Sequence, residues 1–222
     1  MAETDGALLW GRRPRPSRGR RPGLSLDRIV AEAVAIADVD GLEGLSMKRL
    51  AARLDSGVMS LYRHVPGKDE LLELMLEAAV GTPPTIKDPQ DWRRGLYDWS
   101  MAFRDVLHAH PWSGPLFVSD RTVGPNETDW LEAELQALSS LNLAPAKALN
   151  TALAVSSYVR GAALAEISSN GPRFGLLDYP DEYDRYPHVT AVITAPDNFA
   201  GAGVSDFFEF GLKRVLNGIA PS

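Results

Sequence analysis

The chain has 222 residues, 45% hydrophobic, 23% charged and 8% aromatic, with a formal net charge of -6 and no cysteine. That composition excludes a disulfide scaffold, a thiolate metal centre and a cysteine nucleophile, and it lies far from disordered or collagen-like extremes. No stretch approaches the roughly 20 apolar residues of a membrane helix and no apolar h-region stands near the start, so a cytoplasmic protein of one large or two small domains is expected.

The charge is unevenly spread. From Arg12 to Lys68 there are 12 Lys and Arg against 6 Asp and Glu, whereas from Gly81 to Ser222 there are 11 against 17. A basic first third suits a phosphate backbone and an acidic remainder does not, which points to a nucleic-acid module carried by a separate body.

Residues 1–24 hold Arg12, Arg13, Arg15, Arg18, Arg20 and Arg21 among prolines and glycines and read as a flexible basic arm, able to neutralise phosphates or reach a minor groove. From Ser25 the apolar residues fall into helical period: Leu26, Ile29, Val30, Ala33, Val34 and Ala37 share a stripe, with Asp27, Arg28, Glu32 and Asp38 outside it. Ser25 is the expected N-cap, Leu24 and Ile29 its hydrophobic staple, and Asp40-Gly41 the end. The same start device recurs at Ser46 with Leu45 and Leu50, opening a two-turn helix from Met47 to Leu54. Asp55-Ser56-Gly57 then breaks the period before apolar residues resume from Val58 to Val65, the spacing of a helix-turn-helix. Pro66-Gly67 closes that helix. A fourth begins at Lys68, with Asp69 and Glu70 in its first turn, and stops at Gly81, where a first unit over 25–81 gives way to a second over 82–222.

The run LSMKRLAARLDSGVMSLYRHVPGKDELLELML, Leu45 to Leu76, resembles the DNA-binding region of the tetracycline-repressor-like (TetR) family of bacterial regulators. Its most specific part is Leu61 to Leu71, and FFEFGLKRVLNGI, Phe207 to Ile219, is similar to the last helix of many members. The turn departs from the family pattern, with Asp55 and Ser56 where glycine and an apolar residue are usual and Gly57 where Ser or Thr is usual. Aspartate tolerates a left-handed backbone and glycine an N-cap, so the turn can still form.

In a helix-turn-helix the second helix enters the major groove by its exposed start, here Val58, Met59 and Ser60. Val58 and Met59 offer apolar contact to thymine methyls and Ser60 a hydroxyl, a thin direct readout. The resemblance implies that Lys48 and Arg63 reach bases or backbone and that Tyr62, His64 and Lys68 hold phosphates. Without it, Tyr62 reads equally as a core aromatic with its hydroxyl at the rim, and His64 as a helix-end residue. A recognition helix of two turns covers little DNA, so a dimer on a palindromic duplex operator is expected.

Beyond Asp91 the acidic region reads as further helices: Trp92 to His110, a helix capped by Asn126, one from Leu143-Ala144-Pro145 to about Ser168, and a last one from Ser205 to Gly218. An irregular loop is expected over Gly171 to Gly203. The fold class is therefore all-α, with the resemblance assigning the last two long helices to homodimerisation. Trp92, Trp99, Phe103, Trp112, Phe117, Trp130 and Tyr158 are candidates to line a cavity for a small-molecule effector, with His108 or His110 as polar anchor, against plain core packing as the alternative. Two histidines at i and i+2 do not share a helix face, so no metal is expected, nor any cofactor. Arg160 and Glu166 are polar candidates whose simpler reading is solvent exposure.

Together these features make a DNA-binding repressor released by an effector the leading reading. A constitutive or partner-controlled DNA binder is the second. For an enzyme the sequence offers no GxSxG, HExxH or GxxxxGK[ST].

Overall fold

The computed structural model describes residues 7–11, 24–168, 175–195 and 204–219, and among them the ordered elements are helices. Ten are α-helices: α1 Ala7–Trp10, α2 Leu26–Asp40, α3 Met47–Arg53, α4 Val58–Tyr62, α5 Lys68–Val80, α6 Trp92–Ala109, α7 Pro125–Leu138, α8 Pro145–Ile167, α9 Pro187–Ile193 and α10 Val204–Gly218. They enclose two hydrophobic cores, one under α2 to α5 and one among α6, α7, α8 and α10.

The small core forms as the periodicity dictates. Ile29, Ala33, Leu50, Leu61, Val65, Leu71 and Met75 are fully buried and meet from four helices. Ser25 caps α2 by accepting the Arg28 N–H at 3.3 Å, and Ser46 caps α3 by accepting that of Arg49 at 3.2 Å. Arg53 pairs with Glu32 at 2.6 Å and Arg49 with Asp40, tying α3 to α2. In the turn Asp55 takes the left-handed conformation at φ 48°, and Gly57 caps α4 without a side chain. The helix after the turn is shorter than expected: α4 ends at Tyr62, and Val65 reaches the core through a turn whose N–H bonds the Leu61 carbonyl at 2.9 Å.

Several expectations are corrected. Ala7–Trp10, read as part of a flexible arm, is a helical turn that buries Leu9 in the small core. The arginine run from Arg12 to Arg21 lies outside the described residues. Asn126 does not cap α7; Gly124 does, with Pro125 in the first turn, where a missing N–H costs nothing. Asn126 instead donates its backbone N–H to Glu77 Oε1 at 2.5 Å and its side-chain amide to the Glu77 carbonyl at 2.8 Å. The span taken as one irregular loop contains 3₁₀ turns at Gly175–Asp178 and Pro180–Arg185 followed by α9. The rest of it, 171–174 and 196–203, falls outside the described residues.

In the larger core Leu96, Leu107, Leu138, Phe208 and Leu212 are fully buried. The Tyr158 hydroxyl donates to the Phe208 carbonyl at 2.8 Å, and a Cβ at Gly211 would meet that hydroxyl at 2.1 Å. Glycine there is what lets α10 lie close against α8. Glu166, expected in solvent, has a side chain only 3% exposed: Arg104 clasps it at 2.6 and 3.1 Å and His108 adds a contact at 3.0 Å, joining α6 to α8. Arg160 is likewise half-buried rather than exposed.

Candidate DNA-reading surface and effector body

The candidate reading surface comprises the outside of α3, α4 and the start of α5. Leu61 and Val65 anchor α4 to the core, so the alternate side of the same short segment faces outward. Met59 is 76% exposed and Tyr62 43% exposed. Val58 and Ser60 are partly covered, Arg63 is exposed, and its guanidinium donates to Ser60 Oγ at 2.8 Å. Lys48 on α3 and Lys68 at the first residue of α5 are exposed and carry no ion-pair partner among the described residues, unlike Arg49 and Arg53, which are spent on acids of the same module. His64 sits half-buried in the turn between α4 and α5. All eight positions named from the sequence thus belong to one tripartite region, with unpaired cations at its margins and apolar contact at its centre.

The candidates in the larger body divide into three groups. Trp99, Phe103, Phe117 and Trp130 come together: Phe103 meets Phe117 edge to face at 5.1 Å, Trp99 lies 5.1 Å from Phe103 and 5.6 Å from Trp130, and Phe103 lies 5.5 Å from Trp130. Their indole N–H groups are used, Trp99 donating to the Trp130 carbonyl at 2.9 Å and Trp130 to the Val80 carbonyl at 3.0 Å. Tyr158 is apart from them, against α10. His110 and Trp112 stand in a different place again, at the junction of the two units. Trp112 is buried in the small core, and its indole N–H donates to Asp38 Oδ1 at 2.6 Å, while His110 Nδ1 contacts the same oxygen at 2.7 Å.

That junction went unseen in the sequence, where Asp38 was merely a residue off the apolar stripe. It is reinforced by the Thr122 N–H donated to Glu73 at 3.1 Å and by the Trp10 indole N–H donated to the Val123 carbonyl at 3.0 Å. Leu116 packs against both cores. The body also holds a buried acid that periodicity did not single out. Glu134 on α7 is buried, and desolvation pushes its carboxyl up to about 9 against the opposing pull of the Arg160 guanidinium.

Comparison with known proteins agrees with this architecture. Residues 84–222 match the family described as tetracyclin repressor-like, C-terminal domain. The chain is 37% identical over 224 residues to the HTH-type transcriptional repressor DrrR1 of Streptomyces coeruleorubidus, covering 96% of this chain and 83% of that protein. The Streptomyces coelicolor TetR family protein ActR in complex with actinorhodin superposes with a TM-score of 0.72 at 29% identity, over 89% of this chain and 96% of that one. BioQ with its double-stranded DNA operator gives 0.65 at 25% identity, over 90% and 100%. Among the described residues no helix is long and apolar enough to cross a membrane. The chain belongs to the tetracycline-repressor-like family, a DNA-binding transcriptional regulator and not an enzyme.

Proposed function

We propose that this regulator is a homodimeric repressor that leaves a palindromic operator when a small molecule enters its larger helical body. The observation that carries the reading is the segment 110–117, which is fastened at one end to the reading module through Asp38 and at the other to the aromatic cluster through Phe117 on Phe103. A molecule that parts those rings strains the segment that also positions α2, so ligand and DNA favour different arrangements and each weakens the other. That a relative is seen with actinorhodin and another with operator DNA supports both halves of the scheme.

Tyr62, His64 and Lys68 hold phosphates and fix register, while Val58, Met59, Ser60, Lys48 and Arg63 meet the groove. Homodimerisation rests on an uncovered apolar face: Leu149 and Leu153 one turn apart on α8, and Phe207 and Phe210 on α10, are each between 41% and 56% exposed. Selection of bound sequences from random duplex DNA tests the reading. A palindrome with half-sites about one helical turn apart supports it, and a single asymmetric site sinks the dimer. Candidate effectors are then titrated against the selected duplex, and operator affinity indifferent to all of them leaves a constitutive or partner-controlled binder.

A further inference from the structure

Glu134 lies one turn beyond Trp130 on α7, so both project from the same buried face. It is 2% exposed, and its Oε1 has no hydrogen-bond partner among the described residues. An orphaned acid in a packed body calls for a partner that arrives from outside. On α6, the Ser100 hydroxyl next to Trp99 in sequence is also buried and unpartnered. From α8 the half-buried Arg160 guanidinium faces this acid electrostatically, its own pKa lowered by burial and raised by Glu134, and it holds Ser157 Oγ at 3.2 Å. With both nearby indole N–H groups already spent, the unused polar capacity one helical turn from Trp130 is a carboxyl that carries its proton at neutral pH, faced by the Arg160 cation. Donors outnumber acceptors.

A bare hydrocarbon leaves Glu134 unpaired. An ammonium group must share the site with Arg160 and displace the Glu134 proton. An oxygen acceptor on a flat ring takes the carboxyl O–H and the guanidinium field together, while the rings cover its faces. We infer that Glu134 and Arg160 form the polar end of the effector site and select flat aromatic molecules carrying a carbonyl or carboxylate oxygen over amines. The inference rests on the reading that the body takes an effector, and it names that effector's chemistry.

The test uses the full chain and three probes with one aromatic skeleton: 2-acetylnaphthalene, 2-naphthoate and 2-naphthylmethylammonium. Binding at pH 7 is followed by tryptophan quenching and by calorimetry in two buffers of different ionisation enthalpy. The ketone and the carboxylate are expected to bind roughly 10-fold tighter than the amine, without proton exchange. Glu134→Leu weakens the ketone by about 10-fold, Glu134→Gln restores it to within about 3-fold because the amide still donates, and Arg160→Met penalises the carboxylate more than the ketone. Tightest binding by the amine with release of a proton overturns the inference. So does an unchanged ketone affinity in Glu134→Leu, or no saturable binding of any probe up to millimolar concentration. Operator affinity measured on the same samples separates the two readings. Binding in the expected order with no effect on the operator sinks effector release alone. Operator release that ignores both substitutions sinks this inference alone.

Discussion

Lys68 shows how little a single charge reveals until its neighbours are placed. In sequence it is one of several cations in the basic third; in the fold it is exposed at the start of α5 with no ion-pair partner among the described residues, whereas Arg49 and Arg53 are consumed by Asp40 and Glu32. Lys68→Ala is therefore expected to weaken operator binding uniformly across sequences and to reduce the salt slope by about 1 per lost phosphate contact, measured by anisotropy at several salt concentrations. Arg53→Ala should leave that slope in place. Glu134 makes a prediction of stability instead. Its value is about 9 in the fold against 4.5 when unperturbed, so the native state binds the proton more tightly. The resulting stabilisation is full below pH 4.5 and is lost as pH rises toward 9. Thermal unfolding from pH 5 to 9 should show the Tm of Glu134→Gln falling less than that of the parent, each kcal/mol being worth roughly 2–4 °C in a chain of this size. Parallel curves would contradict the buried, protonated acid.

At the scale of the element, short helices depend on their ends. With seven residues in α3 and five in α4, propensity alone holds neither, and caps with buried anchors supply the rest. Ser46→Ala removes the oxygen that accepts the Arg49 N–H and should cost about 1 kcal/mol, read as a lower denaturation midpoint with unchanged slope. The paired α8 and α10 present the opposite situation, long helices with more apolar surface than their own unit covers. Leu153→Glu places a charge on that face, where Leu153 is 48% exposed in the single chain. Sedimentation should then show a monomer whose operator affinity has fallen steeply, because two half-sites are no longer read together. A variant that stays dimeric would move the interface elsewhere.

Across the whole molecule the two units are joined, among the described residues, by a small set of polar contacts in which Asp38 accepts from both His110 and Trp112. Asp38→Ala strands the Trp112 indole N–H in the small core, which should cost about 1–3 kcal/mol, and it frees segment 110–117 from α2. Effector and operator should then bind with less mutual influence, seen as a smaller shift in operator affinity at saturating effector. Retention of the full shift would place the coupling on the α5 and α7 contacts instead. The helices around the proposed reading surface were legible in the sequence, since caps, staples and period all depend on residues close together in the chain. The positions of His110, Trp112 and Glu134 were not, because each is settled by contacts made between distant segments. His110 and Trp112 read as aromatic-body candidates until Asp38, 72 and 74 residues earlier, is brought against them. By itself the sequence determined an all-α regulator with a basic reading head, because helix period and charge are local properties of the chain. Tertiary structure alone decided which cations stay unpaired among the described residues, which aromatics meet and which acid is buried with a carboxyl oxygen outside any hydrogen bond, since burial and pairing exist only once remote helices share one interior.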